Sequence, residues 1–111
     1  MAFGNPRVVD TQTNLTTDAD SGSIKVLDIG RNLNLLVDVT ARIAGTLDIT
    51  VEWSHDGGTK YAPAESPDVF TQINDVGLII KQFVLKGPTY RIVYVVASSP
   101  DFDFSISEFL T

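Results

Sequence analysis

The sequence predicts an all-β fold: a single antiparallel β-sandwich, jelly-roll or Ig-like, of about eight short strands behind a polar N-terminal arm. Three observations carry this. Apolar and polar residues alternate with a period of two, as they do where successive strand side chains point to opposite faces. Turn-forming clusters separate these segments at spacings of roughly 8–15 residues, the rhythm of sandwiches and barrels. No segment spaces apolar residues three and four apart over three helical turns, and without helical crossovers a parallel sheet is not available.

Residues 1–23 read as an arm or loop with at most one short strand, seeded by Val8 and Val9, because Thr11 to Ser23 is almost free of apolar residues. Residues 24–111 read as the sandwich domain. Ile24 to Leu27 is a short, half-apolar strand. In Leu33 to Thr40 the residues Leu33, Leu35, Val37 and Val39 share one face. Thr46 to Trp53 alternates more cleanly, with Leu47, Ile49, Val51 and Trp53 against Thr46, Asp48, Thr50 and Glu52. Ser54 to Thr59 contains Asp56-Gly57-Gly58, a favoured hairpin turn because Gly accepts positive φ. Pro63 and Pro67 keep Tyr61 to Pro67 out of a central strand. Val69 to Ile73 is a further short strand. Leu78 to Leu85, apolar on both faces, is expected at the centre of a sheet. Thr89 to Ala97 is rich in β-branched and aromatic residues, Ser98-Ser99-Pro100 breaks it, and Phe102 to Leu110 forms the last strand.

The 111 residues fit one domain. There is no cysteine, which excludes disulfides, thiolate metal sites and cysteine nucleophiles. Eight basic and 14 acidic residues give a net charge of −6. Nucleic-acid binding rests on a basic surface that displaces counterions, so no nucleic-acid partner is expected. No apolar run approaches the roughly 20 residues of a membrane helix, and Met1 to Arg7 lacks an apolar signal-peptide region. The chain therefore reads as a complete protein made in the cytoplasm, without a membrane partner.

Motifs that would carry chemistry are weak. Ser54, His55 and Asp56 are consecutive, but strand neighbours point apart and a hydrolytic triad needs a hydrogen-bonded series with an oxyanion hole. His55 reads as an exposed turn residue. Asp18 and Asp20 faintly suggest a calcium loop, yet Ile29 stands where an EF-hand carries its bidentate Glu. Asp101 and Asp103 lack neighbouring ligands. Glu52, Glu65, Asp68 and Glu108 would have to pair across a deep cleft to act as a glycosidase, which a domain of this size rarely provides. No catalytic residue, metal or cofactor is expected, and the chain reads as a non-enzyme. Among the aromatics, Trp53 follows the buried series and reads as a core or rim residue, Tyr61 as the most exposed, and Tyr90 and Tyr94 as carrying hydroxyls to a sheet edge or a partner. With Phe3, Arg7, Val8 and Val9 of the arm, Tyr61, Tyr90 and Tyr94 make up the expected interaction surface.

Two resemblances add to this reading. Ser54-x-Asp56-x-Gly58-x-x-Tyr61 resembles an Asp-box, the hairpin motif of sialidase-like propellers, with Tyr in place of the final Trp. In that family it is a folding device remote from the active site. The stretch Ile49 to Phe109, through ITVEWSHDGGTKY, FTQIN, YRIVYVV and FDFSISEF, resembles small β-sandwich structural proteins of tailed bacteriophages. That resemblance implies a virion protein that decorates or cements the capsid surface, contacts the major capsid protein, and is a homo-oligomer, by preference a trimer. On this reading the arm orders on the capsid, and removing residues 2–20 would leave the fold intact. The alternative reading is a carbohydrate-binding or receptor-recognition module.

Overall fold

The computed structural model describes residues 6–27 and 30–111. The described residues are all-β, with no helix, and form one antiparallel sheet of six strands: β1 (Arg7–Leu15), β2 (Ala19–Asp20), β3 (Ile24–Lys25), β4 (Asn32–Ser54), β5 (Gly77–Val84) and β6 (Thr89–Leu110). The order is β1-β6-β4-β5, and β2 and β3 also pair with β6.

Two strands dominate. β4 has 23 residues and β6 has 22, and they pair along nearly their whole length, from Leu33↔Leu110 to Ser54↔Thr89. The segments Leu33–Thr40 and Thr46–Trp53, expected as separate strands, are two halves of β4. Thr89–Ala97 and Phe102–Leu110 are likewise two halves of β6. The alternation survives the junctions, because the odd-numbered residues from Leu33 to Val39 and from Leu47 to Trp53 are buried, as are the even-numbered residues from Tyr90 to Tyr94 and from Phe102 to Leu110.

The junctions are bends. The register slips between Val39 and Ala41, between Arg42 and Ala44, and between Ala44 and Thr46. Opposite, Ser98 and Ser99 adopt φ of 66° and 56°, so these residues turn β6 without ending it. Gly45 has φ +89°, and a Cβ there would lie 2.6 Å from both the Ala97 carbonyl oxygen and the Pro100 Cα. The Arg42 Nε donates to the Gly45 carbonyl at 3.0 Å and ties the bend.

The bend brings each strand's halves face to face. Tyr94 and Phe104 would stand roughly 33 Å apart on a straight strand, yet their rings meet edge-on at 5.0 Å. Tyr90 and Glu108, farther apart in β6, share a 2.8 Å hydrogen bond. One sheet thus doubles over its own apolar side, and the core is what lies between the halves.

Residues 62–73 line the free side of β4's second half. They touch it only at isolated bridges, Trp53↔Ala62, Thr50↔Val69 and Leu47↔Ile73. The strand expected at Val69–Ile73 is reduced to these bridges, with backbone pairs such as Phe70 N to Ile49 O at 2.9 Å and Ile73 N to Leu47 O at 2.9 Å. Phe70 and Ile73 still enter the core.

Two expectations are corrected. Leu78–Leu85 does not lie at a sheet centre: β5 ends the strand order, with Leu78, Ile80 and Val84 exposed. The N-terminal segment is more than an arm with one short strand. β1 runs nine residues against β6, β2 adds a second pairing, and Leu15 is buried. Removing residues 2–20 would strip a strand from the sheet. Phe3 lies outside the described residues.

Candidate functional site

The carboxylates, the chemistry most abundant in the sequence, are largely engaged in holding the fold. Asp18 accepts from the Val96 amide at 2.9 Å, Asp20 from the Gly22 amide at 2.7 Å, and Asp103 from the Asn14 amide at 2.7 Å. Glu52 pairs with Arg91 at 2.6 Å. Glu108, buried, accepts from the Tyr90 hydroxyl at 2.8 Å and from Arg7 Nη2 at 2.8 Å. Arg7 also donates to the Lys25 carbonyl at 2.7 Å, so one guanidinium links β1, β3 and β6. Tyr94 donates to Asp10. Among the described residues no group of three or more His, Asp and Glu side chains is arranged to hold a metal ion.

These contacts relocate most of the expected interaction residues. Tyr90 and Tyr94 are fully buried and bond inward. Burial, with the neighbouring carboxylates Glu108 and Asp10, pushes both phenols well above the usual tyrosine range. Tyr61 is half-buried. Its ring lies 4.1 Å beneath the Arg91 guanidinium and its hydroxyl bonds Ser23. Arg7 and Val9 are half-buried, while Val8 is 63% exposed.

The Ser54–Tyr61 loop is held by hydrogen bonds within itself and is followed by a single bridge, Trp53↔Ala62. Ser54 Oγ donates to Asp56 at 2.8 Å and accepts from the Gly58 amide at 2.9 Å. The same Asp56 oxygen accepts from the Thr59 and Lys60 amides at 3.1 and 2.9 Å. The Lys60 amide, followed by the Ser54 hydroxyl, holds the Asp56 carboxyl below its ordinary range. His55 is exposed, with Nε2 2.6 Å from the Lys86 carbonyl.

Beside this loop is a cavity of about 270 Å³, lined by Trp53, His55, Pro63, Glu65, Asp68 and Lys86. Its inner wall is a closed set of contacts. The buried Asp68 accepts from the Trp53 indole at 2.9 Å and pairs with Lys86 at 2.8 Å. The Lys86 ammonium also stands 5.8 Å from the Trp53 ring centroid. Trp53 is 5% exposed, so it gives the cavity an edge rather than a stacking platform. Both Asp68 carboxylate oxygens are engaged by Trp53 and Lys86.

The other feature is a surface. On the outer side of the half-sheet made by β1, β5 and the adjoining halves of β4 and β6, the row Val8, Ser107, Leu36, Ile80 runs across four strands. Leu78 and Val84 flank it, 68% and 61% exposed. The outer side of the other half pairs Asp48 with Val95, Thr50 with Val93 and Glu52 with Arg91, and is more polar. Sequence reasoning marked Val8 but missed Leu36, Leu78, Ile80 and Val84. For Leu78, Ile80 and Val84 the apolarity of both faces of 78–85, read as a place at a sheet centre, was the signal that pointed to them.

No family model, curated protein or solved structure matches this chain.

Proposed function

We propose that the chain is a non-enzymatic structural protein of a bacteriophage particle, seated on the capsid by protein–protein contacts with the major capsid protein. The observation that supports this reading is the set of exposed apolar side chains on one outer half of the sheet, Leu78, Ile80 and Val84 on β5 and Val8 on β1. Clustered exposed apolar side chains mark a contact site, and these belong to a bonded all-β body. On a lattice, modest contacts repeated by symmetry give strong retention. The phage resemblance of residues 49–109 points the same way.

The test is co-sedimentation with heads assembled from the major capsid protein. Saturable binding is expected, and Val8→Lys, far from β5 in the sheet, is expected to weaken it at least tenfold, about 1.4 kcal/mol. Failure of the wild-type chain to co-sediment rejects the reading. A carbohydrate-binding module is the less supported alternative, because Trp53 is buried and Arg91 covers Tyr61.

A further inference from the structure

The two ends of the sheet are built differently. β1 slips register between Val8 and Asp10 and again between Gln12 and Leu15, and Asn14 has φ 52°. Bulges and polar side chains of this kind keep an edge from accepting another strand. β5 has none of this protection. It holds unbroken register with β4 from Gly77↔Val39 to Val84↔Asn32 and contains no proline. Its single charge, Lys81, reaches the Val69 carbonyl and stands 5.8 Å from the Phe83 ring centroid.

The phase of the backbone is set by the Leu85 amide, which donates to the Arg31 carbonyl at 2.8 Å. By antiparallel alternation, odd-numbered residues of β5 turn their N–H and C=O groups to β4. Leu78, Ile80, Gln82 and Val84 turn theirs to the open edge, where β5 ends the strand order. The same four residues point exposed side chains outward.

We propose that β5 pairs antiparallel with β5 of a second copy, about a two-fold axis through Ile80, to make one sheet continuous over two chains. An unpaired row of donors and acceptors calls for a strand. Pairing a strand with its own copy is isologous and closes at two. The head-to-tail contact of a trimer would instead have to use the bulged β1 edge. Charge selects the same occupant. Copies carrying −6 each repel, and they meet most readily where charge is missing, as it is at Leu78, Ile80, Gln82 and Val84.

With Ile80 opposite itself, Leu78 faces the second copy's Gln82, Val76 faces its Val84, and Lys81 faces its Ile79. Centring the pair on Lys81 would set two ammonium groups opposite each other, which is destabilising. The nine residues from Val76 to Val84 give a seam roughly 30 Å long and about 10 Å deep. That is at or below the low end of stable interfaces, so the dimer forms reversibly, at micromolar or higher concentration. The pairing is a property of the free chain and does not rest on the capsid reading.

Sedimentation of the intact protein from about 10 μM to 1 mM tests it. The mass is expected to climb from 12.1 kDa toward twice that value. Over the same range, hydrogen exchange at the amides of Leu78, Ile80, Gln82 and Val84 is expected to slow in the wild-type chain. Ile80→Lys is expected to hold the protein monomeric, whereas Ile43→Lys, at an exposed apolar site on the β4 bend, leaves association unchanged. A constant monomer mass, unaltered β5 exchange, or a dimer that persists in folded Ile80→Lys overturns the proposal.

Discussion

Asp68, one of four carboxylates weighed in the sequence for a glycosidase pair, is held in structural contacts. Its two oxygens are held by the Trp53 indole and the Lys86 ammonium, and its own amide bonds the Glu65 carbonyl at 2.6 Å. Removing the carboxylate leaves a buried indole N–H without an acceptor. Asp68→Ala is therefore expected to lower stability by about 2 kcal/mol, while Asp68→Asn, which keeps a carbonyl oxygen, costs about half as much. Urea denaturation followed by Trp53 fluorescence measures both. Lys86 is 42% exposed at its side chain, so solvent screens the ionic part of this contact and the indole bond carries most of the effect.

At the scale of elements, the bend between the halves of β4 and β6 is the decisive feature. Gly45 sits at its tightest point. A side chain there must adopt a left-handed φ, at a cost of about 1–3 kcal/mol, and must also displace the Ala97 carbonyl and Pro100. Gly45→Ala is expected to lose at least that much stability. Gly57→Ala, at φ +77° with open space around the missing Cβ, loses only the conformational part. Thermal melts of the two variants separate strain from collision. The long loop between β4 and β5 behaves differently. Pro63 and Pro67 lack backbone N–H groups, so residues 62–73 follow β4 without a continuous ladder, and Phe70 anchors them against Phe83 at 5.6 Å between ring centroids.

At the scale of the whole molecule, the buried tyrosines couple the sheet's halves to pH. Tyr90 links β6 to itself through Glu108, and Tyr94 links β6 to β1 through Asp10. Both folded-state values lie above the ordinary 10.0, so the folded protein holds protons that the unfolded chain releases. Their stabilisation is complete below pH 10 and shrinks as pH rises beyond it. Alkaline titration is expected to show the phenolate absorbance of Tyr90 and Tyr94 appearing together with loss of the β-sheet circular dichroism signal. Phenolate formation at these residues in a still-folded chain contradicts this. At the acid end Asp56 acts with the opposite sign: its carboxyl is depressed below 3.8, so its support for the Ser54–Tyr61 loop is present above that value and is lost as pH falls below it.

The sequence by itself determined the all-β class, the inward faces of both halves of β4 and of the second half of β6, and the Asp56 turn. Each follows from interactions within a few residues: a two-residue period, a glycine that accepts positive φ, a carboxylate beside the amides it caps. The same local signals misplaced β5. Leu78, Ile80 and Val84 look as buried as Leu33, Leu35 and Val37, because residue type records affinity for apolar surroundings and not whether a neighbour arrives. They also divided β4 and β6 into four strands, ending one segment at Thr40 and another at Ser98-Ser99-Pro100, whereas β6 pairing across the gaps makes Gly45 and Ser98-Ser99 bends. Only the tertiary structure decided which carboxylates were already engaged, that Tyr90 and Tyr94 face inward, and that the N-terminal segment joins the sheet. Those outcomes depend on contacts such as Arg7 with Glu108, whose partners lie at opposite ends of the chain and meet only when one sheet folds over itself.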